Sequence, residues 1–171
     1  MAGPVQIRYR KVFDTPPRQW RRRGPFLVLG RQNGLALDTG LRDTPGAPPI
    51  MYSLNGLVHQ QWYFRPVRNH WAEYLIESVE HRLVLDAGRS EELSRLPTMR
   101  PRTGEPQQRW RLSRTEDGAG FVLRTVLTHH ALDFPVGLKP LEHPHMYPCH
   151  RELHQQFILA DVSGPRLYEA D

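Results

Sequence analysis

Short apolar runs alternate with turn-forming clusters along this chain, and their order repeats. Phe26-Leu27-Val28-Leu29 is followed by Asn33-Gly34, a strong hairpin signal, and then by Leu35-Ala36-Leu37-Asp38. A Pro/Gly-rich loop from Gly40 to Pro49 leads to Ile50-Met51-Tyr52-Ser53-Leu54, turned by Asn55-Gly56. Gln60-Gln61-Trp62-Tyr63-Phe64 closes the unit. The order then returns: Tyr74 to Val79, Leu83 to Asp86 and Gln108 to Leu112, then Phe121 to Val126, Ala131 to Asp133, Met146 to Cys149 and Gln155 to Leu159. Runs this short, with Gly and Pro between them, predict β-strands joined by turns. In the second unit the polar segment from Gly88 to Pro106 is expected to replace the third strand.

The spacing is regular. Asp38 precedes Gln60 by 22 residues, and so do Asp86 and Gln108, and Asp133 and Gln155. The units themselves lie 48 and 47 residues apart. A fixed period of this size marks a repeat architecture. Four short strands cannot hide an apolar face alone, whereas three units around a shared axis would bury Trp62, Trp110 and Phe157 together. In each closing strand the Gln and the aromatic are two apart and face the same side. A buried Gln amide has donors and an acceptor with which to tie that strand to the preceding loop.

Charge divides the chain. The total is +5 over 171 residues, but residues 1–23 hold seven Arg or Lys side chains against Asp14 alone, +6, which leaves the remainder at −1. The chain thus reads as a basic arm, 1–23, and an all-β body, 24–171, with repeats at about 24–68, 69–115 and 116–162. A body without a basic face is not built as a general nucleic-acid binder, because phosphate contacts dominate such affinity. Within the arm, Val5 to Val12 alternates as a strand does, and Arg18 to Arg23 with Trp20 reads either as a solvated connector or as a dock for an acidic partner. Self-association is left open. No apolar run suits a signal peptide or a membrane span, and the lone Cys149 forms no internal disulfide. A cytoplasmic location is the expectation, with release from the cell left open.

Three copies of Gln-x-Trp or Gln-x-Phe, each preceded by Leu-Asp, resemble the ricin B-type (R-type) lectin family over roughly residues 24 to 162. The resemblance implies a β-trefoil, a six-stranded barrel capped by three hairpins, and a non-enzymatic lectin for galactose- or N-acetylgalactosamine-type glycans, with no cofactor. It further implies, for each repeat, an Asp for two neighbouring hydroxyls, an aromatic ten residues before the closing aromatic, and a polar residue just before the closing Gln. Those positions are Asp38, Tyr52, His59 and Gln60 in repeat one, and Asp133, Tyr147, His154 and Gln155 in repeat three. Tyr147-Pro148-Cys149 follows the family's pattern and makes the cysteine the remnant of a core position. In repeat two Asp86, Gln107 and Gln108 remain, but Arg100 stands where the ring belongs, and that site is expected to be silent.

The chemistry suits a sugar. A pyranose has C–H groups on one face and hydroxyls at its rim; an aromatic ring covers the first, and a carboxylate with an amide or imidazole bonds the second. His143, His145, Cys149, His150 and His154 crowd together, but the repeat alignment turns Cys149 inward and His154 to the pocket. They are therefore expected not to converge on a metal. No nucleophile elbow, phosphate loop or activated Cys–His pair appears, and Asp38 and Asp133 fall in different repeats, which argues against a glycosidase pair. The alternative is a protein-binding trefoil such as a protease inhibitor, working through the loops Gly40–Pro49 and Gly88–Pro106.

Overall fold

The computed structural model describes residues 24–162 and the backbone of two short strands, β1 (Gln6–Arg8) and β14 (Arg166–Tyr168), which pair antiparallel. The expected strand between Val5 and Val12 is thus present at Gln6–Arg8, and the chain's two ends meet there. The rest of the arm, including Trp20 and the Arg run, lies outside the described residues.

Six strands close a barrel. They are β2 (Phe26–Gly30), β5 (Trp62–Pro66), β6 (Glu73–Ser78), β9 (Trp110–Arg114), β10 (Phe121–Thr125) and β13 (Phe157–Asp161). Each pairs antiparallel with the next in that order, and β13 returns to β2. Closure leaves no barrel edge unpaired. Three hairpins cap the barrel: β3 (Ala36–Asp38) with β4 (Ile50–Tyr52), β7 (Val84–Asp86) with β8 (Thr98–Arg100), and β11 (Ala131–Asp133) with β12 (His145–Tyr147). Their registers are equivalent: Ala36 faces Tyr52, Val84 faces Arg100, and Ala131 faces Tyr147. This is a β-trefoil.

Trp62, Trp110 and Phe157 are fully buried in one core cluster, as the threefold pattern predicts. Each Trp donates its indole N–H to a hairpin carbonyl, Trp62 to Leu37 at 2.9 Å and Trp110 to Leu85 at 3.0 Å. Phe157 has no such donor and stacks edge-on against Phe134, with centroids 4.5 Å apart.

Two expectations are corrected. Repeat two keeps its third strand, β8, because the buried Met99 fills the place that Met51 and Met146 fill in the other hairpins. The closing Gln residues do not belong to the closing strands. Gln60, Gln108 and Gln155 each end a 3₁₀ turn, Val58–Gln60, Pro106–Gln108 and Leu153–Gln155, and the strand starts two residues later. The turn, and not strand alternation, carries each amide inward.

The hairpins also lace into a ring. The loop of each repeat pairs by backbone hydrogen bonds with the central Met of the next: Gly46 and Ala47 with Met99, Ser94 and Arg95 with Met146, and Leu141 and Glu142 with Met51. Each capping hairpin is therefore flanked by a loop from another repeat, which matters for the pockets.

Candidate functional site

Each repeat builds the same scaffold around its aspartate. Gln60 donates both amide hydrogens, to Asp38 Oδ2 at 3.0 Å and to the Ser53 carbonyl at 2.9 Å, and its Oε1 accepts the backbone N–H groups of Asn55 and Gly56. Gln108 makes the same four bonds, to Asp86 and Pro101 and from Thr103 and Gly104, and Gln155 makes them to Asp133 and Pro148 and from His150 and Arg151. The four bonds use the amide's donors and its acceptor. Gln60 and Gln155 therefore stand behind the pockets and orient the carboxylates; they do not face outward.

In repeat one, β3 presents Asp38 at the floor of an open pocket of about 350 Å³. Asp38 Oδ1 accepts the Gly40 N–H at 2.7 Å. Tyr52, 37% exposed, forms one wall from β4. His59 Nε2 lies 3.6 Å from Asp38 Oδ2 and 3.3 Å from Asn55 Nδ2. Leu141 of repeat three completes the rim. Each carboxylate oxygen has two acceptor sites, so capacity for a ligand hydroxyl remains after the internal bonds.

Repeat three builds the counterpart, an open pocket of about 290 Å³. Asp133 is its buried floor, Tyr147, also 37% exposed, is a wall, and Ser94 of repeat two lies at the rim. Two differences set it apart. The residue two after the aspartate is Pro135, which has no N–H to offer, so Asp133 Oδ1 lacks the donor that Gly40 gives Asp38. His150 takes the place of Asn55, and its Nε2 is 3.5 Å from Asp133 Oδ2 and 3.1 Å from His154 Nε2. His154 Nε2 is 3.8 Å from the same oxygen. Two histidines thus converge on the carboxylate, contrary to the expectation, because Gln155 Oε1 accepts the His150 N–H and holds the loop before the 3₁₀ turn beside His154. Cys149 is half-buried instead of lying in the core.

In repeat two the same positions are differently used. Arg100 is exposed, packs by its guanidinium over Gly46, and supplies no ring. Gln107 donates to Glu105 Oε2 at 2.9 Å, and Arg89 also pairs with that carboxylate. The Gln107 hydrogen bond, then Arg89, hold the Glu105 carboxyl below its ordinary range.

Sequence reasoning passed over His150 as a pocket residue, although it stands in the register of Asn55. Leu141 and Ser94 reach their pockets only through the ring of interlaced loops.

Residues 58–139 match the family model described as "Ricin-type beta-trefoil lectin domain-like". No curated protein sequence matches the chain. Among solved structures, the designed threefold-symmetric protein ThreeFoil is 24% identical and superposes with a TM-score of 0.73, over 80% of this chain and 97% of that one. A ricin B-like lectin of Macrolepiota procera, in complex with lactose, is 18% identical with a TM-score of 0.68, over 84% of this chain and 99% of that one. An exo-β-1,3-galactanase from Clostridium thermocellum is 17% identical with a TM-score of 0.75, over 82% of this chain but only 30% of the enzyme. At such identities the likenesses speak for fold. Among the described residues no helix is long and apolar enough to cross a membrane. With three Asp–Gln locks and a closed six-stranded barrel, this chain is a β-trefoil, and its middle stretch, residues 58–139, is similar to the ricin-type β-trefoil lectin-like domains.

Proposed function

We propose that the chain is a non-enzymatic lectin with two glycan sites, one in repeat one and one in repeat three, for galactose- or N-acetylgalactosamine-type sugars. One observation carries it: two open pockets, in different repeats, set a half-exposed tyrosine beside a buried aspartate and a histidine. Tyr52 and Tyr147 offer a face for the sugar's C–H groups, and Asp38 and Asp133 accept its hydroxyls. His59 and His154 add a donor or an acceptor at the rim. The lactose complex of the Macrolepiota procera lectin supports a galactose-bearing ligand. Asp38 and Asp133 open into separate pockets, which leaves neither as the other's partner in paired-carboxylate hydrolysis.

Pockets this shallow bind weakly, at about millimolar Kd or roughly −4 kcal/mol each. Two of them on different lobes gain avidity on a branched or surface-bound glycan. The protein-binding alternative would work through the loops 40–49 and 88–106, which are tied by backbone hydrogen bonds to the neighbouring hairpin; the two tyrosine-walled aspartate pockets favour the glycan reading.

A glycan array followed by titration of the best ligand tests the proposal. Asp38→Ala and Asp133→Ala are each expected to remove one equivalent of binding and the pair to abolish it. Binding that survives the double substitution would overturn the site assignment.

A further inference from the structure

We propose that Asp133, His150 and His154 form a site for a divalent transition metal of the zinc type, with a fourth position open to the repeat-three pocket. Among the described residues these three place one ligand atom each within 4.8 Å of one another. The separations are more telling. A tetrahedral ion with bonds of about 2.0–2.2 Å needs ligand-to-ligand edges of about 3.3–3.6 Å. The observed edges are 3.1 Å between the two Nε2 atoms and 3.5 and 3.8 Å from them to Asp133 Oδ2. Shifts of a few tenths of an ångström bring all three to the ion.

The donor set fits the same class. Two imidazole nitrogens and one carboxylate suit zinc and its neighbours in the transition series, while calcium and magnesium prefer oxygen alone. Three protein ligands with a free fourth position is the open arrangement of zinc sites that exchange a water or a ligand. Both rings are partly exposed, so an ion has a path in, and the carboxylate is buried and held by Gln155, which fixes its direction. Pro135 leaves Asp133 Oδ1 without the backbone donor that Asp38 has, so one fewer internal bond competes with an ion for this carboxylate. One cost is visible. His150 Nδ1 accepts the exposed N–H of Glu152 at 3.1 Å. A metal on Nε2 places the ring proton on Nδ1 and turns that N–H to water.

Repeat one is an internal control. Asp38 and His59 are there, but Asn55 stands in the place of His150, with its Nδ2 3.3 Å from His59 Nε2. The scaffold is equivalent and one imidazole is missing.

The proposal shares Asp133 and His154 with the glycan reading but does not depend on it, since its probe is the metal alone. Calorimetric titration of the full chain with Zn²⁺, and Co²⁺ absorption as a report on coordination, are the measurements. The wild-type chain is expected to take up one equivalent, and bound Co²⁺ to show the visible band of a low-coordinate site. His150→Asn and His154→Asn should each weaken binding by roughly tenfold or more, at least what loss of a ligand's supporting partner does. Asn55→His, in a variant that melts as the wild type does, should create a second equivalent in repeat one. A wild-type chain that takes up no saturable Zn²⁺, or folded His150→Asn and His154→Asn variants that keep full affinity, would overturn it.

Discussion

Gln155 donates from Nε2 to Asp133 Oδ2 at 2.9 Å across a separation of 22 residues, and Gln60 with Asp38 and Gln108 with Asp86 repeat the bond at 3.0 and 3.1 Å. The lock is complete in repeat two, where Arg100 denies the pocket a ring. It is therefore a device of the fold first, and an open pocket with a tyrosine wall is built upon it in two repeats.

Repeat two allows the lock to be measured apart from ligand binding. Gln108→Ala leaves Asp86 Oδ2, the Pro101 carbonyl and the N–H groups of Thr103 and Gly104 short of a partner. The expected loss is about 2–4 kcal/mol, or roughly 5–15 °C in Tm for a domain of this size. Thermal melting checks it; a Tm within a degree or so of wild type would show the lock to be dispensable. Binding by the other two repeats should persist at temperatures where the variant stays folded.

The aromatic plugs come with compensating neighbours. Beside Trp62 and Trp110 the residue after the aspartate is small, Thr39 and Ala87, whereas beside Phe157 it is Phe134. Summed ring volume is shared differently in repeat three. Phe157→Trp alone should overpack the axis at a cost of about 1–3 kcal/mol, and Phe134→Ala alone should open a cavity costing about 3–5 kcal/mol. Together they recreate the repeat-two pair, and the double variant should be more stable than the Phe134→Ala single, with a favourable coupling of about 1–3 kcal/mol. Urea unfolding of the four proteins closes the cycle, and strict additivity would refute the compensation.

This compensation shows what a sequence can and cannot display. The period, the barrel strands and the axis residues were legible because apolar runs and Gln-x-aromatic pairs recur at near-constant spacing. The strand at Thr98–Arg100 was not, because Met99 stands between polar Thr98 and Arg100 with no apolar run around it and is held by Leu85 across the hairpin and by Gly46 and Ala47 from another repeat. Tertiary pairing leaves no local period to read. The aspartates, tyrosines and histidines of the pockets were legible by register. The meeting of His150 with His154 was not, since it depends on the loop that Gln155 folds back through the His150 N–H, and the alignment alone followed only His154. The arm's basic run falls outside the described residues and stands as the sequence left it.

A surface clamp joins the first repeat to the third. Arg31 pairs with both oxygens of Asp117 and donates to Gln156 Oε1 at 2.6 Å. The Arg31 hydrogen bond, then those from the Thr115 hydroxyl and the Ala119 N–H, hold the Asp117 carboxyl well below its usual range. A carboxyl depressed in the folded state stabilises above its unfolded pKa of about 4, and that contribution is lost as pH falls through the folded value. Asp117→Asn should therefore lower Tm near neutral pH, by a small amount because the pair is exposed. The gap from wild type should shrink as the medium is acidified below about pH 4. Parallel melts across that range test it, and a gap that widens on acidification would reverse the sign of the argument.

A second charged contact lies deeper. Glu73 in β6 is buried; Arg111, its cross-strand neighbour in β9, donates to Oε1 at 2.8 Å, and Arg109 Nη1 lies 3.1 Å from Oε2. The Arg109 side chain is itself 12% exposed, so removal of the acid strands a nearly buried cation. Glu73→Gln keeps the shape and removes the charge. It should cost about 2–4 kcal/mol, most of it the uncompensated guanidinium and not the worth of the pair. The partition is testable: Arg109→Met in the Glu73→Gln background should recover part of the loss, because the stranded charge is gone while the stem's packing remains. Urea unfolding of both variants decides. If the second substitution deepens the loss by its full single-variant cost, the cation was never stranded, and the contact stabilises the barrel through its hydrogen bonds alone.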